Sequence, residues 1–284
     1  MLHALEHSFL DTLKLIPFLF LTYLLLEWLE HKATQKTTAL AAKAGKLGPL
    51  AGSLLGVVPQ CGFSASAANL YAGGIISVGS LIAIFISTSD EMLAIMISEQ
   101  ISPLRILTIL GIKIICGIIV GFALDFILRL FKKSPAQPQF SEICEDENCH
   151  CEKTGIFLSS VFHTLQIAFF VFLFSFLIGL AVHLIGEEQI SAFTASAGIF
   201  TPLVAALVGL IPNCASSVVI TELFLSGVIS TGALLAGLIA NSGIGLLVLF
   251  RVNKNIKNNL MIVLAVYLTG AFVGILFDLF GIVL

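Results

Sequence analysis

Two polar clusters interrupt apolar sequence at matching places: Pro59-Gln60-Cys61 with Ser64, and Pro212-Asn213-Cys214 with Ser216 and Ser217. Proline lacks an amide donor and blocks the helical hydrogen bond behind it. The unwound turn that results offers carbonyls, helix N-termini, amide oxygens and thiols to an ion. Close packing of small residues is the competing explanation, and it accounts for Gly73, Gly74 and Gly227. It does not account for Gln60 and Asn213 in apolar surroundings, so the clusters are read as a binding site. A second group, Ser87-Thr88-Ser89-Asp90-Glu91, sets adjacent carboxylates deep in an apolar run. Each costs about 2.5–3.5 kcal/mol there on insertion scales, and such acids face a cavity on an ion or proton path. The competing placement is the membrane interface, paired with lysine. The matching stretch in the second half is Ala240-Asn241-Ser242-Gly243-Ile244, which keeps the polar step without the acids.

Other titratable groups are scattered. Lys113 lies mid-segment, where it can pair with Asp90 or Glu91. Glu222 replaces Asn69 at the repeat position and is a candidate coupling carboxylate. His163 is a candidate proton carrier, with a hydrogen-bonded structural histidine as the alternative. Glu27, Asp125 and Asp278 are placed at interfaces. A polar stretch, ICEDENCHCEK, carries Cys144, Cys149, His150 and Cys151 among acids. Reduced cytoplasmic thiols in that arrangement can chelate a soft or borderline metal. The spacing is not that of a standard zinc finger, and a solvated acidic loop is the alternative.

The elements that hold these groups belong in a bilayer. The chain has 284 residues, 58% hydrophobic and 11% charged, against about 25% charged in soluble domains. Mean hydropathy is +1.06. A net charge of −3 leaves no broad basic surface for nucleic acid. The run 9–28 is expected to be a retained transmembrane helix, since about 20 residues at about 1.5 Å each cross a core of about 30 Å. Further apolar runs are 47–58, 65–71, 75–97, 106–131, 156–185, 199–211, 218–225, 228–250 and 260–284. They form two sets of about five, and the second and third of each set are too short to span alone.

The two sets align at a constant separation of 153 residues: Pro59 with Pro212, Cys61 with Cys214, Ser64 with Ser217, Gly79 with Gly232, Asp125 with Asp278. One residue out of step, Thr12-Leu13 matches Thr164-Leu165. The chain is therefore read as a tandem duplication. Lys32, Lys36, Lys43 and Lys46 follow the first run, whereas Glu187 and Glu188 follow its counterpart. Arg251, Lys254 and Lys257 precede the last run, and its counterpart loop, 98–105, holds one Glu and one Arg. Basic loops mark the cytoplasm, so the alternation makes the repeats inverted, with the central linker cytoplasmic and both termini outside. The expected fold is an all-α polytopic membrane protein. It has two inverted-topology repeats, 1–131 and 156–284, joined by an acidic linker, 132–155, with interrupted or re-entrant helices at the midplane.

The chain resembles the ten-transmembrane heavy-metal exporter family, labelled arsenic efflux proteins or manganese transporters. The resemblance rests on Asp11-Thr12-Leu13-Lys14-Leu15-Ile16-Pro17-Phe18-Leu19-Phe20-Leu21-Thr22-Tyr23 and the stretch 27–31. It continues through 59–64, Asn69-Leu70-Tyr71-Ala72-Gly73, 87–91, His163-Thr164-Leu165, 209–217 and 245–254, and covers nearly all but the linker. It implies export of a metal or metalloid ion. Mn²⁺ prefers oxygen ligands, which Gln60, Ser87, Asp90, Glu91, Asn213 and Asn241 can supply; arsenic prefers thiolates, which Cys61 and Cys214 can supply. Manganese is favoured, with arsenic the alternative and organic anions or amino acids a further one. The candidate first-contact groups are Gln60, Cys61, Ser64, Ser87, Asp90, Glu91, Asn213, Cys214, Ser217 and Asn241, with Glu222, His163 and Lys113 for proton coupling. A sensor whose cysteine loop reports metal is a different class. No P-loop or enzyme signature is read, so transport without ATP is expected, in antiporter fashion. The partners are the ion and the lipid, a homo-oligomer is compatible, and the location is the cytoplasmic membrane of a prokaryote.

Overall fold

The computed structural model describes residues 47–58, 61–130, 156–185 and 200–282, with a few helical positions between 12 and 24. The described elements are α-helices: α1 Gly48–Gly56, α2 Cys61–Ala72, α3 Val78–Ser87, α4 Asp90–Ser98, α5 Pro103–Leu130, α6 Ile156–Ile185, α7 Thr201–Gly209, α8 Cys214–Leu225, α9 Thr231–Ala240, α10 Gly245–Val252 and α11 Ile256–Leu279. Four spans among the described residues are apolar and long enough to cross a membrane: Val78–Ser98, Pro103–Leu130, Thr231–Val252 and Ile256–Leu279. The first and third are each two helices in sequence, α3 with α4 and α9 with α10.

Helix starts and stops follow local chemistry. Pro49 and Pro202 occupy the first turns of α1 and α7, where a missing donor is harmless. Ser77 caps α3 by accepting from the Ser80 amide at 3.1 Å, and Ser230 caps α9 by accepting from Ala233 at 3.1 Å. The end of α2 turns back at Gly74, φ 70°, where the Ile75 amide reaches the Leu70 carbonyl at 2.9 Å. The end of α8 turns at Gly227, φ 74°, with Val228 reaching Leu223 at 2.9 Å. Both are left-handed helix stops. The packing explanation of Gly227 is thereby corrected: a Cβ there would meet open space, and the positive φ is what requires glycine.

Packing repeats between the halves. Helix α3 lies against α1 and α5, and α9 lies against α7 and α11. The partners then cross over: α2 packs on α10 of the other half, and α8 packs on α4. The interrupted spans occupy the middle, with 89% of the α9–α10 window and 69% of the α3–α4 window buried, against 33% for α5 and 28% for α11. Leu107, Ile119 and Phe126 of α5, and Leu264 and Phe272 of α11, are exposed apolar side chains. On membrane-length helices such faces suit lipid. Small residues allow close crossings: a Cβ on Gly121 would lie 2.7 Å from the Gly79 carbonyl oxygen, and one on Gly274 2.5 Å from that of Gly232.

Candidate functional site

Four breaks lie between paired short helices: after α1, after α7, and at the joints of α3–α4 and α9–α10. The second holds Pro212, and Pro59, at the first, lies outside the described residues. The other two have no proline. In the α3–α4 joint, Ser87 donates to the Ala83 carbonyl at 2.9 Å and Thr88 donates to the Ile84 carbonyl at 2.8 Å. Hydroxyls that bond to the preceding turn compete with the helical ladder. Thr88 leaves helical geometry at ψ 127°. In the α9–α10 joint, the Asn241 side-chain oxygen accepts from the Gly243 amide at 2.9 Å, and Gly243 takes φ 55°. This local turn competes with the helix in the same way. The sequence reading located the proline breaks; it did not anticipate that both central spans would part without one.

Three of the breaks are linked: the one after α1 and the two central joints. The Ser89 hydroxyl donates to the Val57 carbonyl at 2.6 Å, tying the α3–α4 joint to the end of α1. Gly245, opening α10, is so close to α2 that a Cβ would lie 2.7 Å from the Ser64 Cβ and 2.8 Å from Phe85 of α3. Lys113 of α5 is 1% exposed. Its ammonium donates to the Thr88 carbonyl and, at 2.8 Å, to the Leu238 carbonyl of α9. A buried ammonium needs such acceptors, and the carbonyls freed at a helix break supply them. At the 153-residue separation, Lys113 is matched by Val266.

Ser64, Ser87, Ser217 and Asn241 are all buried. Asn213 is half-buried in the α7–α8 turn, where its carbonyl accepts from the Ser216 hydroxyl at 2.8 Å. Glu222 is exposed on α8. Cys61 and Cys214 open α2 and α8, and Asp90 opens α4 with Glu91 following. The side chains of Cys61, Asp90, Glu91, Cys214 and His163 lie outside the described part, as do Gln60, Cys144, Cys149, His150 and Cys151 altogether. Among the described residues no three His, Cys, Asp or Glu side chains converge. Asp125 and Asp278, read from sequence as interfacial charges, hold the starts of α3 and α9. Asp125 accepts from the Ser77 hydroxyl at 2.6 Å and the Gly79 amide at 2.9 Å; Asp278 accepts from Ser230 at 2.8 Å and Gly232 at 3.0 Å. Two acceptors of Lys113, the Thr88 and Leu238 carbonyls, were not readable from sequence, because they are backbone atoms; the expected pairing with Asp90 or Glu91 falls on side chains outside the described part. A groove of about 510 Å³ between α5 and α11 is apolar and lined by Cys116, Ile119, Phe272 and neighbours. It contains none of the candidate polar groups, so the joints remain the candidate site.

A family model described as "Putative, 10TM heavy-metal exporter" matches residues 1–178 and 126–277. No curated protein matches the chain, and no solved structure does.

Proposed function

The chain belongs to the 10TM heavy-metal exporter family, and on that premise we propose that it is a secondary transporter moving manganese(II) out of the cytoplasm. It is an integral membrane protein whose family handles metal ions. One observation carries the finer reading: both buried central spans break at mid-length, at residues 88–89 and 241–244, without proline. Breaking a helix inside hydrocarbon is tolerated where the freed groups face protein or a water-lined cavity. Paired breaks of this kind are how transporters build ion sites.

In this reading Asp90 and Glu91 supply the charge that neutralises a divalent ion. Gln60, Ser64, Ser87, Asn213, Ser217 and Asn241 supply neutral oxygens, and Cys61 and Cys214 complete the set. Oxygen-rich ligation suits Mn²⁺. The ion is cargo, and no resident cofactor or ATP is invoked. Lys113, His163 and Glu222 are the candidates for proton coupling. The halves 1–131 and 156–284 are inverted repeats about the linker 132–155, which faces the cytoplasm of a prokaryotic cell. Supporting this, α1, α2 and α3 share their bounds with α7, α8 and α9 at the 153-residue separation. Cys144, Cys149, His150 and Cys151 then form an accessory metal-capture loop. Arsenic is the second reading, favoured by one fact: a cysteine opens both α2 and α8.

The test is flux into proteoliposomes with a metal-sensing dye inside. Mn²⁺ flux that disappears in Asp90→Asn/Glu91→Gln supports the carboxylate site. Arsenite flux that disappears in Cys61→Ser, with no Mn²⁺ flux, replaces manganese by arsenic. Silence for both ions overturns metal export as the activity.

A further inference from the structure

Ser89 and Ser242 are the same residue at matching positions of the two halves, in the α3–α4 and α9–α10 joints. Their potential acceptors match as well: Val57 ends α1, and Leu210 ends α7. The backbone leading into the two joints is alike, although past them Asp90 opens α4 while its match, Gly243, takes φ 55° before α10 opens at Gly245. Val58 bonds to the Leu55 carbonyl at 3.2 Å and Ile211 to that of Val208 at 3.1 Å; Thr88 bonds to Ile84 at 3.0 Å and Asn241 to Gly237 at 2.9 Å. The hydroxyls nevertheless differ. Ser89 donates to Val57 at 2.6 Å, while the Ser242 hydroxyl has no hydrogen-bond partner among the described residues, although Ser242 is 1% exposed.

Leaving a buried hydroxyl unsatisfied is unfavourable. Donor and acceptor types are the same in both halves, but the residues beside the serine are not: Asn241 and Gly243 form a turn where Thr88 and Asp90 stand in the first half. What also differs is the state of the joint. Lys113 holds the Thr88 carbonyl beside Ser89, and Val266 stands at the matching position in the second half. The first joint is thus pinned twice, and the second is not.

We propose that Ser89 and Ser242 are alternating clasps: Ser89 closes on Val57 in this state, and Ser242 closes on Leu210 in the opposite one. The inference rests on the transporter reading, in which two related halves exchange conformations around one site. Ser89 and Ser242 are positioning residues that act through the joints, and Lys113 biases the pair towards the state described here.

The test is hydrogen–deuterium exchange by mass spectrometry on the full-length protein, following peptides over residues 56–61 and 87–91 and over 209–214 and 240–245. Ser89→Ala should raise exchange in the first pair and lower it in the second. Ser242→Ala should do the reverse. One hydrogen bond predicts changes of about twofold to tenfold in each direction. Ser89→Thr and Ser242→Thr, which keep the hydroxyl, should return both pairs towards the parent pattern. Exchange that rises only in the substituted half, or moves in neither, overturns the clasp mechanism. The readout needs no transported ion, so failure to carry manganese leaves this test standing on its own.

Discussion

The Lys113 ammonium and the Leu238 carbonyl oxygen lie 2.8 Å apart, joining α5 of the first half to α9 of the second. The same ammonium holds the Thr88 carbonyl, so one side chain bridges a break and a neighbouring helix. Lys113→Met keeps the apolar stem and removes the donors. The expected outcome is a loss of about 1–3 kcal/mol from the carbonyls left unpaired. A lowered thermal midpoint in detergent, with slowed flux, would bear this out. An unchanged midpoint would show that the bridge contributes nothing to holding the halves together.

Asp125 and Asp278 make the same two bonds in the two halves, one to a capping serine and one to a glycine amide. Carboxylates at helix N-termini are favoured by the exposed amides and the helix dipole. Asp125→Ala and Asp278→Ala should each cost about 1–2 kcal/mol of stability. Metal affinity, read as the KM of flux, should stay near the parent value. A selective rise in KM with normal stability would instead draw these acids into the ion path.

Much of this architecture is legible in the sequence because its constraints are written twice. The capping serines, the acids that meet them and the glycines of the close crossings recur at one separation, as do Pro59 and Pro212. The central breaks are harder to read. Ser87, Thr88 and Ser89 are tolerated inside helices, and only their bonds to the preceding turn and to Val57 reveal the joint. Asn241 and Gly243 gave a better signal, since an Asn two residues before a Gly suits a tight turn. Lys113 was visible as an anomaly, but two of its partners are carbonyls of residues whose side chains are ordinary. For Asp125 and Asp278 the sequence shows the charge but not the serine hydroxyls and glycine amides that answer it.

The glycines separate into crossings and open positions. A Cβ on Gly121 would crowd the Gly79 carbonyl and Pro49, whereas one on Gly111, also on α5, meets nothing within 4 Å. Gly121→Ala should therefore destabilise by about 1–3 kcal/mol through forced separation of α3 and α5. Gly111→Ala should stabilise by about 0.5–1 kcal/mol, since alanine is the better helix former. The comparison of thermal midpoints is internal to one helix, and a shared sign for the two variants would contradict the crossing geometry.

Asn241 carries two demands that substitution can separate. Its side-chain oxygen shapes the α9–α10 joint by accepting from Gly243, and it is also a proposed oxygen ligand. Asn241→Asp keeps an acceptor for the Gly243 amide and adds negative charge. Asn241→Leu removes the acceptor at similar size. If Asn241 contacts the ion, the aspartate variant should retain its thermal midpoint and bind Mn²⁺ more tightly, lowering the KM of flux. The leucine variant should lose about 1–3 kcal/mol from the orphaned amide and raise the KM. If the residue serves the turn alone, the aspartate variant will match the parent in KM, and the leucine variant will lose stability without a change in ion affinity. Measuring midpoint and KM together on both variants therefore distinguishes a ligand from a turn-former at this position.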